Sequence, residues 1–349
     1  MNIDNFDPNG VGVDNGAYFS MPFSIEQARL VLVSAPWDVT VSYASGAAIA
    51  PDAIIEASMQ LDFYDSSAPD AWHEGIATAE IDYSLLEESQ RLRRDAQRVI
   101  DHLEEGGDLN NEYIARYLKR VNQGSERLNE NIYKQCSDLL SQGKLVGLVG
   151  GDHSTPYGAI KALSEHHNSF GVLHIDAHCD LREAYEGFEF SHASIMFNVL
   201  RDFEQVEHLV QVGVRDYCDD ELALVKGSDR ITSFDDYLLA RARFEGETWR
   251  AQCEKIVEQL PSKVYISFDI DGLSISYCPN TGTPVSGGMS FNEALYLLER
   301  VTESGRTIIG FDLVEVAPNP KQRIDAIVGA RMLYKLCGQT IKSNKKSKK

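Results

Sequence analysis

The chain has 349 residues, of which 43% are hydrophobic and 25% charged, with a formal net charge of −20 at pH 7. That composition can bury a globular core, while the acidity argues against nucleic acid or an anionic membrane as a partner and favours small cations. There is no 18-residue apolar run, no signal-like N-terminus and no CxxC among the six cysteines, which points to a cytoplasmic protein with reduced thiols and without a cysteine-built zinc site.

In chain order, residues 1–29 are polar and glycine-containing, and read as an arm packing over the domain or reaching a neighbouring subunit. LVLVSAP (30–36) is a short apolar run rich in β-branched residues, the signature of a buried strand. A long helical region follows at about 84–143, read as an insertion or outer layer. Within it, Leu92, Ala96, Val99, Ile100 and Leu103 have amphipathic spacing, as do Tyr113, Ile114, Tyr117, Leu118 and Val121. Further buried strands are predicted at KLVGLVG (144–150), FGVLHID (170–176), VYISFDI (264–270) and TIIGFDLVEV (307–316). Strands alternating with helices predict a single α/β domain over 30–341, with a mostly parallel sheet covered on both faces. KSNKKSKK (342–349) holds five lysines and reads as a disordered tail.

Three predicted strand ends carry clustered acidic and imidazole side chains. GGDHS supplies His153; HIDAHCD supplies Asp176, His178 and Asp180; SFDIDG supplies Asp269 and Asp271. In an open α/β sheet, functional groups gather at the carboxyl edge of the strands. Alternate residues of an extended segment share a face, so the spacing aims one set of side chains at one point. Cys179, between two of them, is expected to face away and pack. Four carboxylates and two imidazoles suffice for two divalent ions, whose charge would balance the carboxylates. Oxygen and nitrogen donors without thiolate favour manganese or a similar first-row ion. Two such ions lower the pKa of shared water, which points to hydrolysis.

GGDHS, DAHCD and SFDIDG, in that order, resemble the signatures of the ureohydrolase family of arginases and agmatinases. The resemblance extends to PWDVTVSYASGAAIAPDAI (36–54), NTGTPVSGGMS (280–290) and DLVEVAP (312–318), and covers about 30–337. It implies an arginase-like three-layer α/β/α sandwich, often assembled as a trimer or hexamer. It also implies two Mn2+ ions, with Ni2+ as an alternative, one held by His153, Asp176, Asp180 and Asp269 and the other by Asp176, His178, Asp269 and Asp271. The implied reaction releases urea and an amine from a guanidino compound. By the same resemblance His192, in EFSHASIMF, is the proton shuttle and Glu315 grips the guanidinium, while Asp152 orients its neighbours. The region 84–143 is longer than the family leads one to expect. Ser274 and Ala193 depart from the commoner Asp and Gly.

Where arginases contact the substrate tail, this chain has Arg182 and Cys218. Arg182 either folds onto Glu183, Glu186 or Glu189, or meets a substrate carboxylate. Agmatine or a related polyamine precursor, a cation that the acidic body would help draw in, is the leading substrate. A guanidino acid or a carboxylated or aminopropylated agmatine, arginine included, is the alternative. A metallophosphoesterase would need its Asp-x-His ahead of a Gly-Asp block, the reverse of the order here. A non-catalytic metal-binding scaffold would not need His192 and Glu315.

Overall fold

The computed structural model describes residues 6–319 and 321–345. Eight strands form one sheet: β1 Leu30–Ala35, β2 Ile76–Thr78, β3 Leu145–Gly150, β4 Phe170–Ile175, β5 Val206–Val214, β6 Ile231–Asp235, β7 Lys263–Asp269 and β8 Thr307–Val314. Their order across the sheet is β2-β1-β3-β8-β7-β4-β5-β6, and every described pairing is parallel.

Strand alternation builds two apolar layers. Leu30, Leu32, Leu173 and Ile175 face one, with helices α1 (Ala50–Ser58), α8 (Trp249–Glu258), α9 (Phe291–Glu303) and α10 (Ile324–Ser343). Val31, Val33, Val146, Leu148 and Val172 face the other, with α2 (Tyr83–Glu104), α3 (Glu112–Ser141), α4 (Tyr157–His166) and α5 (Ile195–Asp202). The predicted α/β/α sandwich is thus the observed one, because strands apolar on both faces must be covered twice. The remaining helices, α6 (Asp219–Gly227) and α7 (Asp236–Phe244), lie beside the edge strand β6.

Several boundaries differ from the sequence reading. β2, β5 and β6 were not predicted: β2 is only three residues long, and VEHLVQVGV and ITSFD mix polar with apolar side chains. The predicted helical region resolves into the antiparallel pair α2 and α3. Tyr113 does not belong to its buried face; it is 72% exposed, because the apolar stripe of α3 begins at Ile114. The lysine-rich tail does not start at 342. α10 continues through Ser343, and Lys342 donates to the Ser67 carbonyl at 2.9 Å; residues 346–349 lie outside the described residues. Of the arm, Tyr18 and Phe19 are buried in the α1/α10 layer.

Sheet order gathers the chemistry. β3, β8, β7 and β4 are consecutive neighbours, and their carboxyl ends lead into GGDHS, Glu315, Asp269 and Asp176 respectively. Residues far apart in sequence therefore meet across four adjacent strands.

Candidate metal centre and active site

The turn after β3 needs its glycine. A Cβ on Gly151 would lie 1.6 Å from the Trp37 carbonyl oxygen, so only glycine permits this approach. The turn brings His153 beneath the sheet edge, where its Nδ1 is 2.9 Å from Asp176 Oδ2, 3.1 Å from Asp180 Oδ2 and 3.2 Å from Asp269 Oδ2. On its far side, Nε2 faces the Ser267 hydroxyl at 2.9 Å, and that hydroxyl donates to Asp312 at 3.1 Å. Nδ1 itself is buried without a hydrogen-bond partner, as is Oδ2 of Asp271. One imidazole nitrogen facing three carboxylate oxygens, none of them in hydrogen-bond geometry, is a donor set arranged around a cation rather than around a proton.

A second cluster adjoins it. His178 Nδ1 lies 3.2 Å from Asp271 Oδ2 and 3.4 Å from Asp176 Oδ1. The donor atoms of His153, His174, Asp176 and Asp180 lie within 4.8 Å of one another, as do those of Asp176, His178 and Asp271. Asp176 belongs to both groups and turns one oxygen to each. The six side chains read from sequence are thus brought together, and the residues present fit a pair of divalent ions.

The strand-alternation argument holds only in part. β4 ends at Ile175, and Asp180 reaches the cluster through a left-handed backbone, φ +53°. A loop, not a continued strand, delivers it. Cys179 is buried in the apolar layer on the α2/α3 side.

Sequence reasoning passed over His174, although it sits in the quoted motif. Its Nε2 is 2.8 Å from Asp176 Oδ2. The Gln211 amide group donates to the Cys179 carbonyl at 2.7 Å and faces His174 Nδ1 at 3.0 Å. Since Gln211 supplies the hydrogen there, His174 carries its own on Nε2 and donates it to Asp176. The period-2 relation to Asp176 could have signalled it. Arg215 was also missed: Nη2 donates to the carbonyls of Asp271, Leu273 and Val285 at 2.7, 3.3 and 3.0 Å, pinning the loop after β7. That loop also closes on itself where Ser274 N donates to the Met289 carbonyl at 2.8 Å.

The electrostatics follow from burial. Asp269 is pushed well above the usual carboxylate range by burial and by Asp271 and Asp176. Burial acts on Asp176 too, but His174, His153 and His178 outweigh it and hold that carboxyl low. His178 is raised to about 12, since the carboxylates of Asp271 and Asp176 overcome the penalty of burial. Without a cation the cluster must hold protons to offset its negative charge.

Glu315 follows β8 in a left-handed conformation, φ +60°. Its Oε1 accepts from the His153 amide at 2.8 Å and its own amide donates to Gly151. Burial, then the nearby Asp152, raises its pKa well above the ordinary value. His192 is buried, and its pKa falls to about 3 because burial and then the positive field of His178 disfavour the imidazolium. The His192 amide donates to Thr40 Oγ1 at 3.1 Å, and Thr40 in turn donates to Asp152 at 3.4 Å.

A cavity of about 490 Å³ joins these groups; His153, His178, Asp180, His192, Asp269 and Glu315 line it, with Arg182, Tyr185, Cys218 and Glu221 further out. Arg182 does not fold onto Glu183, Glu186 or Glu189. Its Nε is 3.9 Å from Glu221 Oε2, and its guanidinium lies 4.8 Å over the Tyr185 ring. Glu221 is fixed by the amides of Leu181 and Cys218 at 3.1 and 3.0 Å. A larger cavity of about 810 Å³ lies under the N-terminal arm and contains none of these residues.

A parallel α/β/α sandwich whose carboxyl edge gathers carboxylates and imidazoles around a solvent-open cleft is the framework of a metal-dependent hydrolase. The chain belongs to the arginase family, whose model matches residues 28–338; it is an arginase-family ureohydrolase. It is 30% identical over 313 residues to the N(1)-aminopropylagmatine ureohydrolase of Thermus thermophilus, spanning 90% of both chains. It is 28% identical over 300 residues to the agmatinase of Bacillus anthracis, covering 84% of this chain and 86% of that one. Among solved structures, the agmatine ureohydrolase of Thermoplasma volcanium superposes with a TM-score of 0.70 at 22% identity, covering 95% and 96% of the two chains. Among the described residues no helix is long and apolar enough to cross a membrane.

Proposed function

We propose that this protein hydrolyses the guanidino group of a linear, cationic guanidino amine, of the agmatine or aminopropylagmatine class, to urea and the amine. The observation that carries the reading is one cleft holding the two ligand clusters together with Glu315 and His192. His153, Asp176, Asp180 and Asp269 would hold one divalent ion; Asp176, His178, Asp269 and Asp271 would hold the other. We assign manganese, with nickel second, because the donors are imidazole and carboxylate without thiolate. Bound there, the ions supply Lewis acidity and a hydroxide source near neutral pH.

The chain's own residues do the rest. Glu315, a carboxylate at a strand end, receives the planar guanidinium in a charge-assisted pair, and the arriving cation lowers its raised pKa. His192, neutral because it is buried, takes a proton and passes it to the departing amine. Asp152 and Thr40 set the backbone of His192, and His174 orients Asp176. The cationic substrate class is supported by the Arg182–Glu221 contact, which offsets the guanidinium charge of Arg182 on the cleft wall, and by the names of the relatives. Arg182 retains 38% side-chain exposure in that wall, which favours a guanidino acid as the second reading. The reading further takes the protein as a cytoplasmic homo-oligomer, a trimer or hexamer, to be checked by light scattering.

The deciding experiment is a urea-release screen of the manganese- and nickel-loaded protein with agmatine, N(1)-aminopropylagmatine, arginine and carboxylated agmatine, repeated on Arg182→Ala. Turnover of the amines with kcat/KM unchanged in the variant is expected. Silence on the whole panel would overturn the reaction, and a preference for acids lost in the variant would overturn the substrate class.

A further inference from the structure

The helix pair α2/α3 is the feature that the family resemblance did not lead one to expect, and it touches both lips of the cleft. On one lip, Arg93 of α2 donates to the Val39 carbonyl at 3.1 Å, and the Asp38 amide donates to Ser89 at 3.1 Å. That lip carries Thr40 and Ser42, which meet His192.

The other lip is the loop between Leu181 and His192. Its tip is a tight turn in which the Tyr185 and Phe188 backbones bond reciprocally, at 3.3 and 2.9 Å. Both residues between them have positive φ, Glu186 at +56° and Gly187 at +83°. Glycine accepts this conformation freely; glutamate does not, so the turn must be held from outside. The Glu186 Oε2 is moreover buried without a partner. The outside support comes from α3. Asn122 donates through Nδ2 to the Gly187 carbonyl at 3.2 Å and accepts through Oδ1 from the Glu189 amide at 3.2 Å. Only one orientation of the carboxamide satisfies both bonds. Leu109 and Leu118 close against the same turn, since a Cβ on Gly187 would stand 2.9 Å from each of them. The base of the loop is tied where Arg182 N donates to the Ala193 carbonyl at 3.1 Å.

We infer that Asn122 is a positioning residue for the substrate cleft: it clasps the Tyr185–Phe188 turn, and so sets where Tyr185 stands beside the incoming substrate. Tyr185 is the link, since its ring lies edge-on to His192 at 5.9 Å and beneath Arg182 at 4.8 Å. Asn122 touches neither substrate nor ions; it acts through the loop, and the helix pair acts through it. This rests on the ureohydrolase reading for its kinetic consequence but not for the clasp itself.

Amide hydrogen exchange and urea-release kinetics on the metal-loaded wild type, Asn122→Ala and Asn122→Asp test it. In Asn122→Ala the amides of Tyr185, Phe188 and Glu189 are expected to exchange at least about 10-fold faster. KM should rise about 3- to 10-fold while kcat changes less than about 2-fold and metal content stays unchanged. Asn122→Asp, which keeps the acceptor for Glu189 but not the donor for Gly187, should fall between. Unchanged exchange in Asn122→Ala overturns the clasp. Faster exchange with unchanged KM overturns the positioning role. A wild type silent on every guanidino compound sinks the ureohydrolase reading instead, and the clasp then stands or falls on exchange alone.

Discussion

His192 illustrates how much chemistry depends on the setting of a single side chain. An exposed imidazole titrates near neutrality, but here burial, then the positive field of His178, lower the pKa to about 3, so the ring stands neutral at the edge of the cleft. Replacing it by asparagine keeps a polar, uncharged side chain, somewhat smaller, but removes the titratable nitrogen. His192→Asn should therefore lower kcat by about 10²-fold or more, with bound metal unchanged by elemental analysis. A comparable kcat in the variant would show that the proton travels another way. His174 makes the opposite point. It stands two residues before Asp176 in a motif that draws attention to the residues after it, and which of its nitrogens carries the hydrogen became visible only through Gln211, 37 positions away in sequence.

Among the elements, the α2/α3 pair shows what periodicity can and cannot specify. Spacing predicted both helices and the buried faces of Leu92, Val99 and Val121, all of which lie in one apolar layer. It did not show that the pair crosses at a glycine. A Cβ on Gly124 would stand 2.1 Å from Leu92 Cδ1 and 3.5 Å from the Trp37 ring. Trp37 precedes the lip that carries Asp38 and Thr40, so this crossing supports the cleft. Gly124→Val should force Leu92 from its place and cost about 1–3 kcal/mol, read from the midpoint of urea unfolding. Gly124→Ala, with less to accommodate, should cost less, because only the flexible end of Leu92 must yield. The strands divide in a similar way. β3, β4, β7 and β8 are apolar on both faces and were legible; β2 and β6 lie at the sheet edges, where short or mixed sequences suffice.

At the scale of the whole molecule, the acidic chain gathers its most crowded carboxylates at one point, and a bound cation would make that crowding tolerable. Removing metal with a chelator should therefore lower the thermal midpoint by several degrees or more, and manganese should restore it, since a ligand at 1,000 times its Kd stabilises by about 4 kcal/mol. A midpoint indifferent to chelation would count against resident ions. By itself the sequence determined the α/β class and the three strand ends that carry clustered acidic and imidazole side chains, because strand periodicity and donor chemistry are local properties. Only the tertiary structure decided that β3, β8, β7 and β4 are neighbours, that Arg182 turns to Glu221, and that Asn122 reaches the turn at Gly187. Those are contacts across the fold, set by packing and sheet order, and no local pattern encodes them.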